Sequence, residues 1–195
     1  MAARIKPDRI PTSAELEKEL ERVKYRPGRG RMLWDIIVIM LVVSSAVVLI
    51  TTYLFPVLKV SGGSMAPTLQ NGEVIIALKP AEPKTGDICY FYSDNKLLCK
   101  RIIAVGGDVV SIDDAGNVTV NGYIQNEPYV SMKSKGECDL EFPFTVPSGS
   151  YFVMGDHRET SVDSRSSEIG CIPSERIAGV LLFRLWPLNR IGGVD

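Results

Sequence analysis

Residues 97–105 read LLCKRIIAV, and whether this run is a strand or a helix decides the fold. As a strand it alternates. Leu98, Lys100 and Ile102 then share one face, while Cys99, Arg101 and Ile103 share the other. Lys100 therefore sits among aliphatic neighbours, where an ammonium is costly to bury and a neutral amine is favoured. A strand-edge lysine whose amine reaches water is the other reading of the same run.

Working outward, the chain beyond Pro56 shows no second long helical period. It holds short runs rich in Val, Ile, Phe and Tyr between glycine, proline, asparagine and aspartate: EVIIAL, DICYFY, DVVSI, NVTV, YFVMG and IAGVLLFRLW. Such runs read as strands, with SDNK (93–96) and Asn121-Gly122 as hairpin turns between neighbours. The expected fold is mainly β, an antiparallel sheet or partly closed barrel. The stretch from about 108 to 150 carries its own hairpin and a polar segment, SMKSKGECD, and is expected to form a small inserted β lobe.

Upstream, no ionisable residue occurs from Ile36 to Ile50. Tyr53, Leu54 and Phe55 extend the run to about twenty residues, roughly 30 Å as a helix. TTYLFPVLKV, which follows, has no small-x-small pair, so the run reads as a retained anchor rather than a cleaved leader. Residues 1–33 are then a cytoplasmic segment, 34–56 a transmembrane anchor and 57–195 an extracytoplasmic β-rich domain. Lys24, Arg26, Arg29 and Arg31 crowd the near side, which places the N-terminus in the cytoplasm. Before the anchor, Thr12 and Glu15 form a capping-box pattern, and Leu16, Leu20 and Val23 recur at helical spacing, with YRPGRGR as the break.

With 22 basic and 23 acidic residues the formal net charge is −1, so no overall field draws in nucleic acid. Cys89, Cys99, Cys138 and Cys171 all lie in the outer part, where disulfides are permitted but not required. Three pairings are possible. Cys89 with Cys99, flanking a hairpin, is the favoured pair, and free thiols stand equally beside it.

SGGSMAPTL (61–69) presents a serine between glycines and a proline-containing turn. Gly62 and Gly63 permit backbone shapes closed to other residues, and Pro67 stops a helix, so Ser64 can be stiffly held and still reached. A serine hydroxyl needs a base to become a nucleophile. His157, the only histidine, is one candidate, in the chain order of an α/β-hydrolase triad. Yet Pro67 stands where that family's helix begins, and the outer part is short for a doubly wound sheet. Lys100 is the other candidate. SDNK also matches S-x-x-K, but a polar turn offers no buried helix for that chemistry.

Four stretches, SGGSMAPTL, GDICYFY, KRIIAVGGD and GDHRETSVDSR, resemble in order and spacing the successive boxes of the bacterial type I signal peptidase family, in its Gram-positive-like form. The likeness runs from the anchor to FRLWPLNRIG. It implies a serine-lysine dyad in a β-rich fold tethered by an N-terminal helix, cutting signal peptides from secretory precursors at the outer surface of the cell membrane. Residue by residue, it makes Ser64 the nucleophile, Lys100 the general base, and Ser161 the hydroxyl that orients the amine. Met65 falls in the active-site wall, and Asp163 and Arg165 form a supporting pair. Some members add a serine oxyanion donor where this chain has Gly62. The implied partners are precursors with signal peptides and the lipid bilayer, near the secretion machinery, and no metal or cofactor is implied. Ser64 lies eight positions after Pro56, a reach of at most about 28 Å, so the serine is tethered close to the anchor. A self-cleaving repressor also uses serine and lysine, but this chain shows no DNA-binding domain. A membrane-tethered β-domain that binds exported proteins without cutting them is the non-enzymatic alternative.

Overall fold

The computed structural model of the chain describes residues 12–24, 28–79, 82–93 and 96–194. Pro11, residues 25–27 of the YRPGRGR break and residues 94–95 of the SDNK turn lie outside the described residues. The chain divides into two units, residues 1–49 and 50–195.

In the first unit, helix α1 (Ser13–Lys24) begins where the Glu15 carboxylate accepts hydrogen bonds from the Thr12 backbone N–H at 3.1 Å and its hydroxyl at 3.0 Å. This satisfies a donor that the first helical turn cannot. Helix α2 (Arg29–Leu54) carries the apolar run. Its Gly30–Leu54 stretch, of mean hydropathy 2.7, is long and apolar enough to cross a membrane, and none of it is buried by protein. A helix apolar on every side with no protein cover is suited to lipid as solvent.

The second unit is β-rich. Its strands are β1 (Val57–Lys59), β2 (Val74–Leu78), β3 (Ile88–Ser93), β4 (Lys96–Val105), β5 (Val109–Ile112), β6 (Val118–Val120), β7 (Tyr123–Ile124), β8 (Phe144–Thr145), β9 (Ser150–Met154), β10 (Ile172–Pro173), β11 (Ile177–Trp186) and β12 (Gly192–Gly193). Eight form one antiparallel sheet in the order β1-β2-β11-β3-β4-β9-β10, with β12 beside β11. The sheet stays open, with β1 and β10 at its ends. The other four make a small sheet, β7-β6-β5-β8. Asn121 and Gly122 join β6 to β7 with φ of 53° and 83°, the left-handed pair that a tight hairpin turn demands.

LLCKRIIAV is a strand, and residues Lys100 to Ala104 are all buried, so both faces of β4 are covered there. Ile102 packs with Cys89, Phe91, Val153 and Ile172, whereas Ile103 and Ala104 join Val110, Val118, Val146 and Phe152 of the small sheet and its surroundings. Met65, Leu69, Ile75, Ala77, Ile88, Tyr90 and Leu181 form a further cluster beneath the SGGSMAPTL turn. Full burial of an aliphatic side chain of this size contributes about 1.5–3 kcal/mol.

IAGVLLFRLW is strand β11, held between β2 and β3, whose later residues Leu182, Phe183, Leu185 and Trp186 remain exposed. The favoured Cys89–Cys99 bridge is not formed, and all four cysteines are free thiols. Register explains this. Cys89 stands opposite Lys100 and Tyr90 opposite Cys99, which turns the two thiols to opposite faces of the sheet.

Candidate active site

Gly62 has φ of +92°, a backbone conformation that L side chains rarely adopt, and its N–H donates to Asn71 Oδ1 at 3.3 Å. The chain then folds into one tight turn, with Ala66 N–H bonded to Gly63 O at 3.0 Å and Leu69 N–H to Met65 O at 2.8 Å. Met65 and Leu69 anchor the turn in the core while Ser64 stays half-buried. From outside the turn, Arg184 donates to Thr68 O at 2.6 Å and Arg190 to Pro67 O at 3.3 Å. Both guanidinium groups are ion-paired with the buried Glu73, at 2.9 and 2.6 Å. The C-terminal FRLWPLNR stretch thus braces the serine turn.

Ser64 lines a cavity of about 220 Å³ whose walls include Leu58, Val60, Met65, Leu98, Cys99 and Leu181. Leu98 and Cys99 immediately precede Lys100 on β4. The Lys100 side chain is 3% exposed, and its amine donates to Ser161 Oγ at 2.8 Å. Its pKa is lowered from the ordinary lysine value, chiefly by burial, against the opposing pull of Asp163, Cys99 and Asp156 and with the help of Arg165. The readings of Lys100 as an edge lysine and as a buried amine part here, because an amine this buried does not reach water. Burial also pushes the Cys99 thiol up to about 11, which keeps it protonated and poorly nucleophilic at neutral pH.

Gly155 joins these groups. A Cβ there would lie 2.5 Å from Ser64 O and 2.6 Å from Ser161 Cβ, so only glycine admits the two serines so close together. The Gly155 N–H donates to Asp163 Oδ2 at 2.9 Å, and Asp163 is ion-paired with Arg165 at 2.8 Å, both fully buried. Arg165 in turn donates to Ser161 O at 3.2 Å. The pair holds the loop that carries Ser161.

His157 is placed differently. Its backbone N–H donates to Ser64 O at 3.0 Å, but its ring Nδ1 bonds Thr160 Oγ1 at 2.8 Å. The ring lines a separate small cavity with Ser131, Met132, Arg158 and Glu159, not the one that Ser64 lines.

Several residues at this site had not stood out in the sequence. Arg101, 3% exposed, donates to both oxygens of Asp156 at 3.0 and 2.8 Å, and Asp156 also accepts from the Thr68 hydroxyl. Arg158 is buried and paired with Glu127. The available signal was charge inside apolar context: Arg101 interrupts an aliphatic strand, and a charge buried there requires a partner. Among the described residues no group of His, Cys, Asp and Glu is arranged to hold a metal ion.

The sequence model of the family described as "Signal peptidase, peptidase S26" matches residues 33–186. Signal peptidase I of Bacillus licheniformis is 38% identical, over 75% of this chain and 85% of its own length. Signal peptidase I T of Bacillus subtilis is 37% identical, over 73% and 80%. The thylakoidal processing peptidase 1 of Arabidopsis thaliana chloroplasts is 35% identical, over 66% of this chain and 41% of its own length. The crystal structure of a signal peptidase I from Enterococcus faecalis is 28% identical, with a TM-score of 0.44, covering 52% of this chain and 97% of that one.

Proposed function

Because the chain belongs to the signal peptidase family, peptidase S26, we propose that it is a membrane-bound serine endopeptidase that removes signal peptides from secretory precursors with a Ser64–Lys100 dyad. The observation that carries this reading is the buried, hydrogen-bonded amine of Lys100, on the strand whose preceding residues share a cavity with Ser64. A lysine kept from water gives up its proton more readily, and its freed lone pair then serves as a general base.

In this mechanism the neutral Lys100 takes the Ser64 proton as Ser64 Oγ attacks the scissile carbonyl. The protonated amine then gives that proton to the leaving amine, and water resolves the acyl-enzyme with Lys100 again as base. Ser161 holds the amine in line through its 2.8 Å hydrogen bond. The oxyanion is assigned to the Ser64 backbone N–H, with a backbone group or water in place of the side chain that Gly62 lacks. Such donors act where charge develops in the transition state.

The substrate lies extended along the open edge of β1, adding a strand to the sheet. Its residues before the cut enter the cavity walled by Leu58, Val60, Met65 and Leu181, where small side chains fit and large ones clash. Helix α2 is the membrane anchor, with the N-terminus cytoplasmic and the catalytic unit outside. The short tether from Pro56 to Ser64 keeps the nucleophile near the surface where a precursor's cleavage site emerges.

Purified full-length protein in detergent, incubated with a secretory precursor, should generate a new N-terminus identifiable by sequencing. Ser64→Ala should abolish that product while His157→Ala leaves most of it, and the rate should rise with pH across the lowered Lys100 pKa. Cleavage retained by Ser64→Ala, or lost in His157→Ala, would overturn the dyad. Protease protection of an N-terminal tag in sealed right-side-out vesicles tests the orientation, a cytoplasmic tag being cut only once detergent is added.

A further inference from the structure

The loop between β7 and β8 contains the sequence Glu127-Pro128-Tyr129 and runs on through Ser134 and Lys135. Three buried arginines behind the Ser64–Lys100 site end on this one segment. Arg158 donates to both oxygens of Glu127, with Nη1 at 3.0 Å from Oε2. The Arg101 guanidinium lies over the Tyr129 ring, 3.9 Å from its centre. Arg165 donates to the carbonyls of Ser134 and Lys135 at 3.2 and 2.7 Å.

The same arginines also bond groups that frame the site. Arg158 donates to Gly155 O at 3.1 Å, Arg101, next to Lys100 in sequence but on the other face of β4, binds Asp156 and Gly86 O, and Arg165 donates to Ser161 O. A guanidinium has five N–H donors and keeps its charge in any protein interior, so each burial is tolerated only while both ends are satisfied.

We propose that the 127–135 segment is a positioning element for the reaction, with Glu127 and Tyr129 as its anchoring side chains, holding Arg101, Arg158 and Arg165 so that Lys100 and Ser161 keep their alignment. This rests on the dyad reading above. The segment touches neither the Ser64 cavity nor the amine; it acts through the arginines. The charged groups around the Lys100 amine are Asp163 and Asp156, which favour its protonated form, and Arg165, which disfavours it, with the Cys99 thiol beside it. Tyr129 itself faces Glu127, Arg158, Arg101 and Asp156. Arg101 keeps its two bonds to Asp156 and its bond to Gly86 O, but without the ring its buried charge loses its cover and water is admitted behind the site; burial is the main cause of the lowered Lys100 pKa, so the lysine then titrates at higher pH.

The test uses full-length protein in detergent, wild type, Tyr129→Leu and Tyr129→Phe, with precursor cleavage followed across pH. Tyr129→Leu is expected to move the rising limb of kcat up by about one pH unit, so that kcat falls about tenfold on the limb. KM should stay within about twofold, because the segment makes no substrate contact, and kcat should approach wild type above the limb. Tyr129→Phe keeps the ring and is expected to keep the wild-type limb. Competitive acetylation of Lys100 by acetic anhydride, quantified by mass spectrometry across pH, reads the same titration without substrate. A shifted acetylation curve in protein that processes no precursor would leave this proposal standing and remove the proposed function. An unmoved limb and acetylation curve, a rise in KM alone, or an equal loss of kcat at every pH would overturn it. Should Tyr129→Leu fail to fold, Tyr129→Met carries the same expectation, and failure of both to fold would reduce the segment to a structural role.

Discussion

Lys100→Met should abolish cleavage and at the same time make the protein more stable, by an amount that depends on pH in a defined direction. In the unfolded chain Lys100 has the ordinary lysine pKa of 10.5, whereas burial lowers it in the folded protein. Between the folded and unfolded values the unfolded chain binds one more proton, so wild-type stability rises with pH across that window. Below the folded pKa the cost of the buried amine is felt in full. Methionine carries no titrating group, so this component is absent from the variant. Exchanging buried charged groups for apolar ones of similar volume is neutral to stabilising by about 1–4 kcal/mol. The Ser161 hydroxyl, 1% exposed, loses its partner, which takes back about 1–2 kcal/mol of that gain. A net gain of about 1–2 kcal/mol corresponds to a rise in Tm of about 2–8 °C for a unit of this size. Thermal melts of both proteins in detergent, from about pH 6 to about pH 10, measure it. The gap should be widest in acid and close as pH approaches the ordinary lysine value. A gap that is flat with pH would mean that Lys100 titrates alike in both states, and the argument for a pre-deprotonated base would fail.

Gly155→Ala should lower kcat/KM by about 10²-fold, since the added methyl would push Ser161 and the Ser64 carbonyl apart and displacements of about 1 Å cost that much; kinetics on a precursor peptide check it, and near-wild-type turnover would show the site to be roomier than the geometry allows. Glu73→Ala should destabilise the protein by about 3–5 kcal/mol, because the 9%-exposed Arg184 loses its carboxylate while still bridging to Thr68; urea denaturation measures this, and a change below about 1 kcal/mol would show that the brace contributes nothing.

What the sequence made legible depended on how far apart the interacting residues are. Asn121-Gly122 announces its hairpin because the turn needs two adjacent left-handed residues, and the structure shows both. The mainly β fold could be read from runs such as VIIAL, rich in β-branched residues, which is strand β2. Alternation said little about β4, where five consecutive residues are buried because Ile103 and Ala104 meet one cluster and Ile102 another. A two-sided core erases the period from which burial is read. The choice between a Cys89–Cys99 bridge and free thiols was not legible for a related reason: proximity of Cys89 and Cys99 along a hairpin says nothing of register, and register assigns the faces.

The chemistry follows the same division. Ser64 could be singled out from its own neighbours, Gly62 and Pro67, because the turn that presents it is local. The environment of Lys100 could not, since it is assembled from Ser161, 61 residues away, and from Asp163, Asp156 and Arg165. Each of those groups is in turn held by a residue that looks unremarkable in sequence, such as Glu127 in NEPYV or Gly155 before Asp156. The lowered pKa of this amine is a property of closure: it comes chiefly from burial among groups distant in sequence, and the buried guanidinium groups nearby are satisfied at their far ends by a separate loop. It follows that substitutions far from Ser64 along the 127–135 segment should be read out at the lysine before they are read out in binding.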